Sequence, residues 1–215
     1  MLNPALTLPP LMRRAMVRPL VAAPGPVDDP TSARAGAGPA ADRNRTSAPP
    51  EHGIEIAPYH PSWPARFRIE SVVLRAALDG LHPRFEHIGT TAVPQMPGRP
   101  IVDILLGLPQ ACDLEPHLDR LRNFGYALAM DPESRPGRRT LVRTVRGVQT
   151  HEVQVVETFS DNWHRALLFR DLLRADPQLA TEYESERRRL AADHPTRPLA
   201  YERGKAQFIA TVLGP

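Results

Sequence analysis

The sequence predicts an α/β (α+β) fold, in which a mixed β-sheet packs against helices. Three observations support this class. Predicted strands come first along the folded part of the chain, one early helix lies among them, and the C-terminal part is helical throughout. This order of elements favours one sheet with helices packed against it.

The first 52 residues differ in composition from the rest. Residues 1–50 contain 10 of the 25 prolines, and six arginines against three aspartates. Such a segment cannot bury enough apolar surface to offset the entropy lost on ordering. We therefore expect a disordered Pro/Ala/Arg-rich extension over 1–52 and a folded domain over 53–215.

Charge and composition exclude several classes of protein. The net charge of +3 belongs entirely to the extension, so the folded domain is neutral and nucleic-acid binding is not expected. The single cysteine, Cys112, rules out an intramolecular disulfide and a cysteine-based zinc site. No apolar run approaches the roughly 18 residues of a membrane span, so we expect a cytoplasmic protein without a membrane segment.

The folded domain opens with an extended segment and a helix. Residues 54–59 alternate in polarity as a short strand or extended lead-in does. The next helix is expected to have Ser62 as N-cap and Pro64 in its first turn. Its apolar spacing continues to about Leu81.

Two strands and a helix follow. Residues 85–88 form a short strand that ends at Gly89, and the proline-bounded apolar run 101–106 is typical of a central buried strand. Leucines and a phenylalanine at helical spacing over 114–124 predict an amphipathic helix that ends at Gly125.

The remainder predicts a hairpin and three helices. Segments 140–145 and 151–156, separated by a turn at 146–149, have the pattern of a β-hairpin. Capping signals and apolar spacing then predict helices capped by Asp161, by Asp176 and Pro177 with an end near Leu190, and a last one over 199–212.

The residues that could bind a ligand begin at the end of the first strand. Gly89, Thr90 and Thr91 form a turn in which small residues allow an anion to approach and hydroxyls add donors. His87, just before the turn, is either a structural histidine or a group that orients substrate or transfers a proton. Asp103 is a carboxylate in an apolar strand, so it needs a metal, an arginine or hydrogen-bond donors.

A second candidate face lies on the strand 151–157. Side chains alternate along a strand, so Glu152 and Gln154 share one side. If the valines on the other side face helices, Glu152 and Gln154 face an opening, and Asp103 with Glu152 could hold Mg²⁺. Exposure of Glu152 to solvent is the alternative. Arg170 could contact a phosphate or pair with an acid of the sheet, and Lys205 could do the same or lie in solvent.

Several motifs in order resemble the GrpB family, whose fold belongs to the nucleotidyltransferase superfamily. They are PYHPSWP at 58–64, EHIGTTAVP at 86–94, RPIVDI at 99–104, FRDLLR at 169–174, and Tyr201 with Lys205. The resemblance covers about 54–213 and implies a nucleotidyltransferase-like sheet, a small-molecule substrate that could be a nucleotide, and Mg²⁺ as a cofactor. It adds Arg99 to the substrate-binding residues.

The sequence departs from this pattern at the metal site. The superfamily has two acids one residue apart, whereas here Asp103 is followed at the second position by Leu105, which cannot ligate a metal. The histidine-rich strand usual in the family carries Glu152 and Gln154 instead. The resemblance therefore does not imply the ordinary two-metal mechanism.

Three functions remain open at this point. The first is a transferase for a nucleotide or an activated phosphate compound. In it the Gly89-Thr90-Thr91 turn binds phosphate, Asp103 holds one Mg²⁺ with or without Glu152, and Arg170 stabilises developing charge. The second is different small-metabolite chemistry in the same pocket, with His87, Asp103 and Glu152 as general acid and base. The third is a catalytically inactive ligand-binding module.

Overall fold

The structure is a computed structural model that describes residues 54–129 and 137–214. Within them, five strands form one mixed sheet in the order β1-β2-β5-β4-β3. The strands are β1 (Arg84–Ile88), β2 (Val102–Leu108), β3 (Tyr126–Leu128), β4 (Arg138–Val145) and β5 (Val148–Glu157). The helices are α1 (Trp63–Ala77), α2 (Leu118–Asn123), α3 (Asp161–Ala175), α4 (Pro177–Asp193) and α5 (Pro198–Leu213).

The predicted α+β class, with a mixed sheet and a helical C-terminal segment, is confirmed. β2 pairs in parallel with β5, whereas the other three pairings are antiparallel. The predicted extension over 1–52 lies outside the described residues. No helix of the described part is long and apolar enough to cross a membrane.

Most predicted elements are present with shifted ends. The first helix ends at Ala77, before the expected Leu81, and residues 54–59 form an extended lead-in with a single bridge from Ala57 to Gly98. Ser62 precedes that helix without a side-chain cap, since its hydroxyl contacts His60 instead. The helix predicted over 114–124 begins within a 3₁₀ segment, Ala111–His117, and continues as the short α-helix α2.

Two details correct the sequence-based expectations. The cap of α3 is Ser160, whose hydroxyl accepts a hydrogen bond from the Trp163 amide, and Asp161 is the first helical residue. Strand β3 was not predicted, because three residues carry too little alternation to be recognised. The predicted hairpin and the Asp176 cap of α4 are confirmed, the latter by bonds from the Gln178 and Leu179 amides.

The two faces of the sheet differ in what covers them. On one face, Ile104, Leu106, Val153 and Val155 form the main core with residues of α1. On the other face, a smaller apolar cluster of Ile88, Leu105, Val156 and Trp163 packs the sheet against α3. We call these the α1 face and the α3 face. The helices α3, α4 and α5 also pack together around Tyr183 and Phe208.

Candidate functional site

Asp103 and Glu152 are direct neighbours on the α3 face. They are Cα partners in the parallel pairing of β2 with β5, so their side chains point to the same side. Both are partly buried. The predicted side-chain alternation of β5 is confirmed, since Val153 and Val155 are in the core and Glu152 and Gln154 are only partly buried. The sheet therefore presents two carboxylates side by side.

Three side chains from outside the sheet complete this group. Arg99, in the segment before β2, lies 3.7 Å from Glu152 and 3.6 Å from Glu202 of α5. Lys205, one turn further along α5, lies 2.8 Å from Glu202. We call the set Arg99, Asp103, Glu152, Glu202 and Lys205 the charged cluster.

The cluster changes the acidity of its members. Burial, together with the negative charge of Glu152, raises the pKa of Asp103 to about 7, although Lys205 and Arg99 act in the opposite direction. For Lys205, burial alone would lower the pKa, but the Glu202 carboxylate outweighs it and the pKa is raised. Asp103 can thus exchange a proton near neutral pH, while Lys205 keeps its positive charge.

The turn after β1 touches the cluster through its glycine. Gly89 has φ +67°, and a β-carbon there would lie 2.8 Å from Cγ of Asp103. The two threonines point inward, contrary to the expectation of exposed hydroxyl donors. Thr91 is 1% exposed, and its hydroxyl lies 3.0 Å from Nε2 of His87, while a β-carbon on Gly98 would meet Oγ1 of Thr90.

His87 is not brought together with Asp103. Its Cα partner on β2 is Ile104, so it points to the α1 face, where its ring stacks on Phe67 with centroids 4.8 Å apart. Burial, with the charges of Arg174 and Arg170, lowers its pKa to about 4. A neutral, stacked histidine on the opposite face does not support the expected joint acid–base role with Asp103.

Arg170 is engaged at the edge strand. Its guanidinium donates to Oε2 of Glu86 at 2.7 Å, to the His87 carbonyl at 3.2 Å, and to Asp171. Of the two alternatives for Arg170, the structure therefore has the ion pair with an acid of the sheet, and it offers no support for a contact with phosphate. Gln154 lies on the α3 face as the Cα partner of Leu105, two residues further along β5 than Glu152.

The residues available do not fit the expected metal. Leu105, two residues after Asp103, has no atom that could ligate a metal and is fully buried against Trp163 and its neighbours. Among residues 54–129 and 137–214, no group of three or more histidine, cysteine or acidic side chains is arranged to hold an ion. Two carboxylates remain, and Arg99 and Lys205 already supply positive charge beside them. Mg²⁺ stays a prediction without structural support.

A second polar group lies on the α1 face, away from the cluster. Glu70 of α1 is 3% exposed, accepts a hydrogen bond from the Tyr126 hydroxyl at 2.7 Å, and pairs with Arg143 at 2.6 Å. His151 lies 3.7 Å from the same carboxylate, and burial lowers its pKa to about 4. The contacts join α1, β3, β4 and β5, so we assign this group to the stability of the sheet.

Glu202 is the member of the cluster that the sequence did not reveal. The only available signal was its spacing of three from Lys205, which is common on exposed helix surfaces. Its proximity to Arg99 depends on how α5 packs over the sheet, which no local pattern encodes.

A mixed sheet that carries paired acids on one face, next to Arg99 and to Lys205 of the C-terminal helix, defines an α+β domain with a charged site on that face. The chain belongs to the GrpB family, because the family model described as GrpB protein matches residues 53–214.

Relatives agree with this assignment. The chain is 35% identical over 179 residues to the UPF0157 protein PA4798 of Pseudomonas aeruginosa, a match that covers 80% of this chain and 72% of that one. The crystal structure of the conserved protein GrpB from Enterococcus faecalis superposes with a TM-score of 0.61 and 26% identity, over 74% of this chain and all of that one. Cid1 poly(U) polymerase bound to MgGTP is more distant, with a TM-score of 0.42 and 12% identity over 62% of this chain and 42% of that one, a likeness that says nothing about substrate or reaction.

Proposed function

We propose that this chain is a transferase-type enzyme whose substrate is a phosphorylated small molecule, with a nucleotide as the first candidate, and that the substrate binds at the charged cluster. The proposal rests on the position and the raised pKa of Asp103. It lies beside Glu152, has a pKa near 7, and has Arg99 and Lys205 within electrostatic reach.

In this proposal the two cations bind the negative charge of the substrate. The side chains of Arg99 and Lys205 are 25% and 21% exposed, so a ligand can reach them from solvent. The planar guanidinium of arginine can donate to two oxygens of a phosphate or a carboxylate at once, and a lysine adds a point charge. Charge that develops on a transferred phosphoryl group would be stabilised by the same pair.

Asp103 acts in this proposal as the general acid–base. A catalytic base works best when its pKa lies near the working pH, and a correctly placed one contributes roughly 10²–10⁴-fold to the rate. Glu152 contributes by holding the pKa of Asp103 up, since two adjacent carboxylates resist double ionisation. No step of this scheme passes through a metal ion.

A second candidate is acid–base chemistry on a metabolite without a nucleotide. The buried Leu105 favours it, because the superfamily's usual metal-dependent route lacks its second acid here. In that case Asp103 keeps its role, and Arg99 and Lys205 bind some other anionic group of the substrate.

The first test is thermal denaturation of the full chain with ATP, CTP, GTP and UTP, each with Mg²⁺ and with EDTA. A nucleotide at about 100 times its Kd should stabilise the fold by about 2.7 kcal/mol, and we expect the shift to persist in EDTA. It should disappear in Arg99→Gln and persist in the control Arg188→Gln, which alters an exposed pair on α4.

The outcomes separate the candidates. No shift with any nucleotide would exclude nucleotides and favour the second candidate. A shift seen only with Mg²⁺ would show that the ligand is the Mg²⁺ complex of the nucleotide, which contradicts a scheme without a metal ion. Once a substrate is known, Asp103→Asn should keep binding and lose turnover, and unchanged turnover would overturn the catalytic assignment.

A further inference from the structure

We propose that the Glu202 carboxylate is a built-in competitor for the anionic group of the ligand, and that ligand binding requires Glu202 to leave Arg99 and Lys205. This inference rests on the proposed function, because it assumes that these two cations bind the substrate. It assigns to α5 the control of access to the site.

Glu202 stands where a bound anion would stand. Its carboxylate lies between the two cations of the cluster, 2.8 Å from Nζ of Lys205 and 3.6 Å from Nη2 of Arg99. A phosphate held by both cations would need the same space and the same donors. The two anions therefore exclude each other.

Arg99 lies too far from its present carboxylate partners for strong hydrogen bonds. Charge-assisted hydrogen bonds are typically 2.7–2.9 Å long. Arg99 reaches its nearest carboxylates only at 3.6 and 3.7 Å, and across residues 54–129 and 137–214 it makes no closer polar contact. A guanidinium that is three-quarters buried and has free donors gains several hydrogen bonds when a correctly shaped anion arrives.

Glu202 is also the acid of the cluster that can move. Asp103 and Glu152 extend from paired strands in the interior of the sheet, whereas Glu202 lies in the first turns of α5 and its side chain is 44% exposed. Its Oε1 is buried without a hydrogen-bond partner among the described residues. Rotation of this side chain into solvent would free both cations and hydrate that oxygen.

The charge count explains why such a competitor would be useful. With all groups ionised, the cluster holds three carboxylates against two cations. A ligand must displace the Glu202 carboxylate, which α5 already holds beside the two cations. A ligand with one negative charge therefore gains little binding free energy. A phosphate group that carries close to two negative charges gains more, and Glu202 thereby favours phosphorylated ligands over carboxylates.

The experiment is isothermal titration of the full chain with inorganic phosphate and with pyrophosphate. If Glu202 occupies the cations about 90–99% of the time, its removal should lower the apparent Kd about 10- to 100-fold, because affinity scales with the fraction of competent protein. We expect this gain in Glu202→Gln, no gain in the control Glu184→Gln, and loss of binding in Arg99→Gln.

A second measurement does not depend on the variant folding well. Lys205 is the only lysine of the chain, so lysine labelled with ¹⁵N gives one side-chain ammonium signal. In the wild type, phosphate should shift that signal as Nζ exchanges Glu202 for the ligand. Glu202→Asp, which shortens the side chain, should bind phosphate with an affinity between those of the wild type and Glu202→Gln.

The possible failures can be told apart. If Arg99→Gln weakens phosphate binding but Glu202→Gln leaves it unchanged or weaker, Glu202 is not a competitor and only this inference falls. If Arg99→Gln has no effect, or if neither the wild type nor Glu202→Gln binds phosphate or pyrophosphate, the proposed ligand site falls as well.

Discussion

Gly89 and Asp103 lie in direct contact, backbone against carboxyl group. Any side chain at position 89 would place its β-carbon 2.8 Å from Cγ of Asp103, closer than β-carbons are found to other heavy atoms. The glycine also has φ +67°, which is unfavourable for residues with a β-carbon. The close approach of the Asp103 side chain to the end of β1 therefore requires glycine at position 89.

Gly89→Ala should destabilise the fold more than its backbone conformation alone explains. Gly80→Ala is the control for positive φ, +90°, at a site where no heavy atom lies within 4 Å of the point that the β-carbon would occupy. We expect about 1 kcal/mol for the control, as for other residues forced into this region, and at least twice that for Gly89→Ala. Urea unfolding of both variants measures the difference, and equal losses would contradict the contact.

Asp103→Asn should make the protein more stable at pH 8 and change little at pH 4. The folded pKa of Asp103 is about 7, raised from 3.8, so ionisation costs the folded state more than the unfolded state. This cost is absent below the unfolded pKa, grows as the pH rises, and is complete above about 7, where it amounts to at most about 4 kcal/mol. Urea unfolding from pH 4 to pH 9 measures it, and a difference between variant and wild type that is constant with pH would contradict the shift.

Leu105→Ala should cost about 2–5 kcal/mol, as truncation of a fully buried leucine does. The residue fills the space between the sheet and Trp163, so its removal leaves a cavity beside the charged cluster. Leu168→Ala on α3 is the control, since Leu168 is 51% exposed and should change stability by no more than about 0.5 kcal/mol. Chemical denaturation gives both values, and a small loss at Leu105 would argue against its place in the core.

The Glu70 group on the α1 face should behave as one unit. Tyr126→Phe removes a single hydrogen bond and should cost about 1–2 kcal/mol, whereas Glu70→Ala leaves Arg143 without its carboxylate and should cost about 3–5 kcal/mol. In the double variant, the loss from Tyr126→Phe should nearly vanish, because the acceptor is already gone. Additive losses in this double-mutant cycle would show that the hydroxyl and the carboxylate act independently.

The parts of the site that local patterns encode could be predicted. The alternation of β5 separated Glu152 and Gln154 from Val153 and Val155, and the structure confirms it. The face of His87 could not be predicted, because it depends on the register of β1 against β2. A shift of that register by one residue would move every side chain of β1 to the other face.

The contacts that helix packing adds to the site could not be predicted from the sequence either. The position of Glu202 beside Arg99 results from tertiary contacts of α5, and its local spacing resembles that of any exposed ion pair. The motif that contains Arg170 was recognised, but its partner Glu86 lies on a strand 84 positions earlier in the chain. Local sequence gives the identity of such residues and not their partners.

The parallel pairing of β2 with β5 has a consequence for how the protein assembles. It is the only strand pairing within the described residues that joins the antiparallel pair β1–β2 to the antiparallel strands β3, β4 and β5, so Asp103 and Glu152 lie on opposite sides of the junction between these two parts of the sheet. Contacts between distant parts of the chain form late, because the intervening loop must close first. The two acids therefore meet only when the two parts of the sheet pair, and above about pH 7 the cost of burying ionised Asp103 beside Glu152 falls on that pairing step.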